Sequence, residues 1–113
     1  MTKYLISFPG EATVFPEEDF DTVVHDAHAV IDDAKSEGAY VFSGGIDEDV
    51  DAVLVAGDGT VTGGTHPGHN VLNGGYPVLD LPSRGAALEW AAKIAVACPC
   101  AQEVRRFQYD PAS

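Results

Sequence analysis

The side chains able to move a proton or hold a metal fall into two histidine constellations in this chain. His25 and His28 sit between Asp21 and Asp32, a spacing of i, i+4, i+7 and i+11 from the first to the last. On a helix these four share one flank, beside an apolar stripe centred near Val24, Ala27 and Ile31. Carboxylates next to imidazoles can orient the rings as a general base or a metal ligand requires, which makes His28 a candidate catalytic residue. The same spacing also arises when a helix simply exposes polar residues, with pair stabilisation of roughly 0.2–0.5 kcal/mol each. The second constellation is His66 and His69, separated by Pro67-Gly68 in a glycine-rich stretch. Two imidazoles on one loop can reach one ion, but a catalytic zinc needs a third ligand that local spacing does not supply, so no metal is assigned. His66 and His69 are instead candidate catalytic residues. Candidate ligand contacts are Asn70, Tyr76 and Arg105. Arg105 shares one face of a strand with Glu103 by period-two alternation, which suits an ion pair; a guanidinium there could also hold a carboxylate or phenolate. The residues point to no particular cofactor.

Regular elements must place these groups. Lys3–Phe8 reads as a strand closed by Pro9-Gly10, and Pro16 with Glu17, Glu18 and Asp19 opens a helix whose apolar stripe runs from Phe20 to Ala34 before Gly38 stops it. Ala39–Ser43 and Ala52–Ala56 are short strands, and Asp58-Gly59 is a type I′ hairpin signal leading into Val61 and Thr62. Between Gly63 and Gly75 periodicity is lost, and irregular segments of that length are usually functional or mobile. Tyr76–Leu81 resumes as a strand. Ser83 caps a helix that runs to about Ala97, where Pro99 forbids continuation, and Gln102–Tyr109 is the last strand. The glycine pairs Gly63-Gly64 and Gly74-Gly75 open no helix and precede no Lys-Ser/Thr, so they are not phosphate loops.

This order predicts an α+β fold of the ferredoxin-like, split βαβ kind: one domain over residues 1–113, an antiparallel sheet and two helices on one face. Strands such as Tyr4-Leu5-Ile6 and Val53-Leu54-Val55 carry apolar residues on both sides, so the uncovered face is expected to pack against a second copy as a homodimer. Eighteen acids against six bases give a net charge of −12 over 113 residues, with 45% hydrophobic residues, a packed protein with an acidic surface. Residues 11–58 hold fourteen acids and one base, whereas residues 59–113 hold four of each. Such a chain repels phosphate backbones and anionic lipid, so no nucleic acid or membrane partner is expected. No signal or membrane-spanning run is seen, and a cytoplasmic location is the default expectation. Cys98 and Cys100 flank Pro99, too close for an unstrained bridge and unlike a CxxC motif, and are expected as free thiols.

The chain resembles the YCII-related proteins, and within them the DGPF-domain branch, over nearly its whole length. The resemblance rests on Lys3-Tyr4-Leu5-Ile6, Ser36-Glu37-Gly38 and the Asp58-Gly59 hairpin. More specific are Asn73-Gly74-Gly75-Tyr76, similar to the family's Leu-Gly-Gly-Phe step, then Ala87-Leu88-Glu89-Trp90-Ala91, Cys98-Pro99 and Glu103-Val104-Arg105. The eponymous Asp-Gly-Pro-Phe falls on Gly63-Gly64-Thr65-His66, where only the Gly matches. The resemblance implies a dimeric α+β barrel, in a superfamily that also holds lactone isomerases and monooxygenases. In the YCII branch a His–Asp pair has been suggested as catalytic. His28 lies nearest the position of that His, and no Asp of this chain matches its partner.

Two functions follow as expectations. One is a YCII-like small-molecule-binding protein or enzyme with proton-transfer, isomerase or lyase-type chemistry in a sheet-face cavity lined by His28, His66, His69 and Arg105. The other is a non-catalytic dimeric module, structural or regulatory, that acts through association.

Overall fold

A computed structural model describes residues 1–68 and 72–112. The protein is α+β. Its elements are β1 (Thr2–Ser7), α1 (Phe20–Ser36), β2 (Tyr40–Phe42), β3 (Val53–Val55), β4 (Val61–Gly63), β5 (Val78–Leu81), α2 (Arg84–Ala97) and β6 (Glu103–Arg106). Four strands form an antiparallel sheet in the order β2-β5-β1-β6, and β3 and β4 make a separate hairpin.

Local chemistry accounts for the helix ends. The Glu17–Asp19 segment forms a 3-10 turn leading into α1, which sets three acids at the positive end of the helix dipole. At the other end Gly38 takes φ +72°, Gly38 N–H donates to the Lys35 carbonyl and Ala39 N–H to that of Ala34, a Schellman stop. Ser83 caps α2, its hydroxyl accepting Ala86 N–H at 3.1 Å, an interaction worth about 1 kcal/mol.

Strand alternation then sorts the side chains. Tyr4 and Ile6 of β1, Leu79 and Leu81 of β5 and Val104 of β6 point to the helices, where Ala34 of α1 and Ala87, Trp90, Ala91 and Ile94 of α2 meet them. Alanines at these helix positions let α2 lie close to the sheet, with Trp90 and Ile94 filling the space between. The opposite face carries Lys3, Leu5, Val78, Asp80, Glu103 and Arg105, and none of the helices covers it. On that face Oδ1 of Asp80 is shielded from solvent without a hydrogen-bond partner.

The hairpin turn differs from the type I′ expectation. Gly59 N–H donates to the Ala56 carbonyl, so the turn spans Ala56-Gly57-Asp58-Gly59, and only Gly59 has positive φ. Asp58 keeps a negative φ because its carboxylate accepts Thr60 N–H at 2.9 Å, which a turn one residue later would forgo. The last strand is also shorter than Gln102–Tyr109: it pairs with β1 from Glu103 to Arg106, and one further hydrogen bond, from Phe107 N–H to the Lys3 carbonyl, ends the contact.

Two glycine pairs knit the sheet end together. Gly74-Gly75 runs between Phe8 and the Gly44–Ile46 segment. Phe8 and Gly75 exchange both backbone hydrogen bonds at 3.3 Å, Ile46 N–H donates to Gly74 at 2.9 Å, and Tyr76 N–H donates to Gly44 at 2.8 Å. Gly74 has φ +83°, and a Cβ there would run into the Phe8 carbonyl. Gly74→Ala is therefore expected to cost more than about 3 kcal/mol, strained φ and backbone clash together. Gly59→Ala, at positive φ but in open space, should cost about 1 kcal/mol. Urea unfolding of the two variants checks the contrast.

Candidate functional site

A cleft of about 340 Å³ opens between α1 and α2 on one side and the β2 edge with the glycine crossing on the other. It exists because the residues facing it are small. Ala27 and Ala34 on α1 and Ala97 on α2 are short, and Gly44, Gly45 and Gly75 contribute no side chains at all. This also explains why the apolar stripe of α1 is only half-buried at Ala27, Val30 and Ile31: it lines the cleft instead of closing on the sheet.

Aromatic rings make the walls: Phe8, Tyr40, Tyr76 and Trp90. Gly75 makes room for the Phe8 ring, since a Cβ there would lie 2.8 Å from two of its carbons. Tyr40 is held from both ends. Lys35 Nζ sits 4.9 Å from its ring centroid, and its hydroxyl accepts Ser43 N–H at 3.1 Å while lying 3.3 Å from Ser43 Oγ. The two hydroxyls form a polar handle in an otherwise apolar enclosure. Outside the walls, Asn73 ties the lower edge, accepting Gly10 N–H through Oδ1 and donating through Nδ2 to Glu11, both at 2.9 Å. Glu11 is held below the usual carboxylate range by a backbone hydrogen bond, with Asn73 adding to the effect.

The ionisable groups in the lining are few. His28 is exposed on α1 and lines the cleft, so its ring stands at the mouth. Cys98 is half-buried at the end of α2, and burial pushes its thiol up, with Cys100 nearby acting the same way. Among the described residues no Asp, Glu, Lys or Arg lines the cleft. The arrangement can enclose an apolar molecule, hydrogen-bond it at Tyr40 and Ser43, and present one imidazole to it.

Of the candidates among the described residues, the structure brings His28 and Tyr76 together at the cleft and places Arg105 and His66 elsewhere. Arg105 lies on the opposite sheet face, where Nη1 donates to Glu103 at 2.9 Å; alternation places it beside Leu5, away from the helices. His66 is exposed in the segment after β4 and is not part of the cleft. His69 and Asn70 lie outside the described residues. Of the residues expected in a sheet-face cavity, His28 lines this cleft on the helix side instead, and neither His66 nor Arg105 lines it. The histidine flank of α1 is also divided: His25 faces its neighbour Asp26 at 3.4 Å, not Asp21. Among the described residues no three of His, Cys, Asp and Glu are placed to hold a metal, and no helix is long and apolar enough to cross a membrane.

Nothing in the type or spacing of Phe8, Tyr40, Ser43 and Trp90 marks them as site residues in the sequence. The doublets Gly44-Gly45 and Gly74-Gly75 were the available signal, because a close backbone crossing beside an aromatic residue leaves space next to the ring. No protein-family model matches this chain and no curated protein matches it.

A thiol raised by folding makes the native state the better proton binder, so its stabilising contribution is complete below the ordinary thiol range and is lost as pH rises through the folded value. The protein is expected to lose stability above that range, with a flatter slope in Cys98→Ser. Denaturant midpoints across alkaline pH measure this. Iodoacetamide should also alkylate Cys98 in a Cys100→Ser background more slowly than it alkylates a small free thiol at the same pH.

Proposed function

We propose that this protein binds an uncharged, largely apolar small molecule in the helix-side cleft, and that His28 at the mouth exchanges a proton with the bound molecule in isomerase or lyase-type chemistry. The observation that carries the reading is the convergence of His28, Tyr76 and the Tyr40–Ser43 hydroxyl pair on one aromatic-walled space. A volume of about 340 Å³ falls in the range of ligand sites, and an apolar wall with a few placed polar groups is their usual composition. A charged ligand would lose hydration there without gaining an opposite charge.

The strand order β2-β5-β1-β6 with both helices on one face supports a ferredoxin-like split βαβ plan. The YCII and DGPF reading is supported by Asn73-Gly74-Gly75-Tyr76, which falls at the cleft and whose Gly74 tolerates no side chain. Free Cys98 and Cys100 go with a cytoplasmic setting. The acidic surface gives phosphate backbones and anionic lipid nothing to bind.

A second reading, an association module, is favoured by one specific observation: the sheet face bearing Leu5, Val78 and the orphaned Asp80 oxygen has no helix over it. We read this face as the site of a homodimer in either case.

Trp90 is the chain's one tryptophan and lines the cleft, so its fluorescence reports occupancy directly. Titration with neutral aromatics such as indole is expected to give a saturable change, and the matching carboxylates should bind at least tenfold more weakly. Ala27→Phe, which fills the cleft, should abolish the change with the fold intact by circular dichroism. Equal binding of neutral and anionic probes, or binding unaffected by Ala27→Phe, would overturn the reading. Where a substrate is found, His28→Ala should lower kcat and leave the binding of neutral probes within about threefold.

A further inference from the structure

We propose that the molecule held in the helix-side cleft is an uncharged ketone, its carbonyl oxygen taking the one proton left over by the Tyr40–Ser43 hydroxyl pair and its α-carbon facing His28. The inference rests on the small-molecule reading above and names the chemical class that the same cleft selects.

Tyr40 and Ser43 bring two O–H protons, and their oxygens lie 3.3 Å apart, so one proton is spent between them. The phenol oxygen also accepts Ser43 N–H at 3.1 Å, and among the described residues neither hydroxyl makes another hydrogen bond. If Tyr40 donates to Ser43, the serine proton is free. If Ser43 donates to Tyr40, the phenol oxygen has both acceptor positions filled and its own proton is free. Either arrangement leaves one O–H without an acceptor, at a half-buried position on the cleft wall. A shielded proton with no acceptor is a costly thing to leave in a folded protein.

The rest of the lining points the same way. Tyr76 adds a second phenol, and burial favours the protonated thiol of Cys98. Backbone acceptors on this side are already used: the carbonyl of Gly44 accepts Tyr76 N–H at 2.8 Å, that of Gly75 accepts Phe8 N–H at 3.3 Å and that of Pro77 accepts Ile6 N–H at 2.9 Å. Among the described residues no carboxylate or side-chain amide lines the cleft. The cleft therefore offers protons and is short of acceptors, which suits a ligand oxygen that accepts and brings no proton of its own.

His28, on the α1 wall across from the β2 edge, supplies the base. An imidazole can take a proton from carbon only where the electron pair left behind is delocalised, and a neighbouring carbonyl provides that. The imidazole takes the α-hydrogen as a proton, the C–H pair becomes a C=C bond, and the carbonyl π pair moves to oxygen, where the spare O–H meets the charge. Return of the proton from imidazolium to carbon completes the cycle with no oxidant, reductant or co-reactant. Because His28 is exposed at the mouth, its proton can exchange with water in between.

Indane, 2-indanone and 2-indanol share one skeleton and differ in one substituent, and titrating the full chain with each by Trp90 fluorescence tests the assignment. The wild type is expected to bind 2-indanone more tightly than indane or 2-indanol by about fivefold or more. Tyr40→Phe or Ser43→Ala alone should keep a reduced preference for the ketone over indane, since one O–H remains in each. The double variant should lose the preference while still binding indane, with unchanged circular dichroism. In heavy water the wild type should speed deuterium entry at the α-carbons of 2-indanone about tenfold or more above the buffer rate, read by proton NMR, and His28→Ala should return it to that rate. If neither indane nor 2-indanone binds, the small-molecule reading itself falls. If indane binds as tightly as the ketone, or 2-indanol more tightly, the cleft is an apolar site and the ketone assignment is overturned. Deuterium entry at the buffer rate in the wild type, or entry unchanged by His28→Ala, overturns it as well, as does a preference that survives in the double variant.

Discussion

Gly74 stands where three stretches of chain cross. Residues 8–10, 44–46 and 73–76 come together with their backbones in contact, and at the tightest point a single methyl group is excluded by the Phe8 carbonyl. Much of the site depends on that approach. It brings the β2 edge next to β5 and sets the Phe8 ring against Gly75. It also leaves a floor without side chains under α1. The cleft is thus a by-product of backbone packing: glycines allow the strands to meet, and the volume their missing side chains would have occupied becomes the space for a ligand.

Much of the fold was legible in the sequence because its signals were local. Pro16 with its three acids, the Gly38 stop, the Ser83 cap and Pro99 each act within a turn of the chain, and each falls at or next to the corresponding element end. The hairpin was legible in position but not in turn type, since the choice between turns depended on the Asp58–Thr60 hydrogen bond. The site was much less legible. His28 and Tyr76 could be marked because an imidazole and a phenol are conspicuous, but Tyr40, Ser43, Phe8 and Trp90 become site residues only through contacts far apart in sequence. Arg105 was drawn to the site by its chemistry, yet alternation along β6 puts it on the other face of the sheet from the cleft. Period-two reading showed that Glu103 and Arg105 share a face; which face could not be known before β6 was paired to β1.

The two sides of the sheet divide the work. The helix side is closed by Trp90, Ile94 and Leu79 near its centre and left open toward the β2 edge, where polar atoms are few and the Tyr40 and Ser43 hydroxyls lie against one another. The other side keeps its charges, Lys3, Asp80, Glu103 and Arg105, interspersed with Leu5 and Val78. A surface of that mixture is balanced in sign while the rest of the chain is strongly negative.

The central position of β1 also bears on how the chain comes to be folded. Its two neighbours are β5 and β6, drawn from residues 78–81 and 103–106, so the first strand made is among the last to be paired. Until then only α1 and the β3–β4 hairpin can form from nearby residues, and Tyr4-Leu5-Ile6 is left as an open apolar strand, the kind of segment that seeds aggregation in slow, non-local folding. Residues 11–58, which carry fourteen of the eighteen acids, are the part of the chain that accompanies this strand while it waits. Like charge of that density repels a second unfinished chain and so opposes association through the open strand.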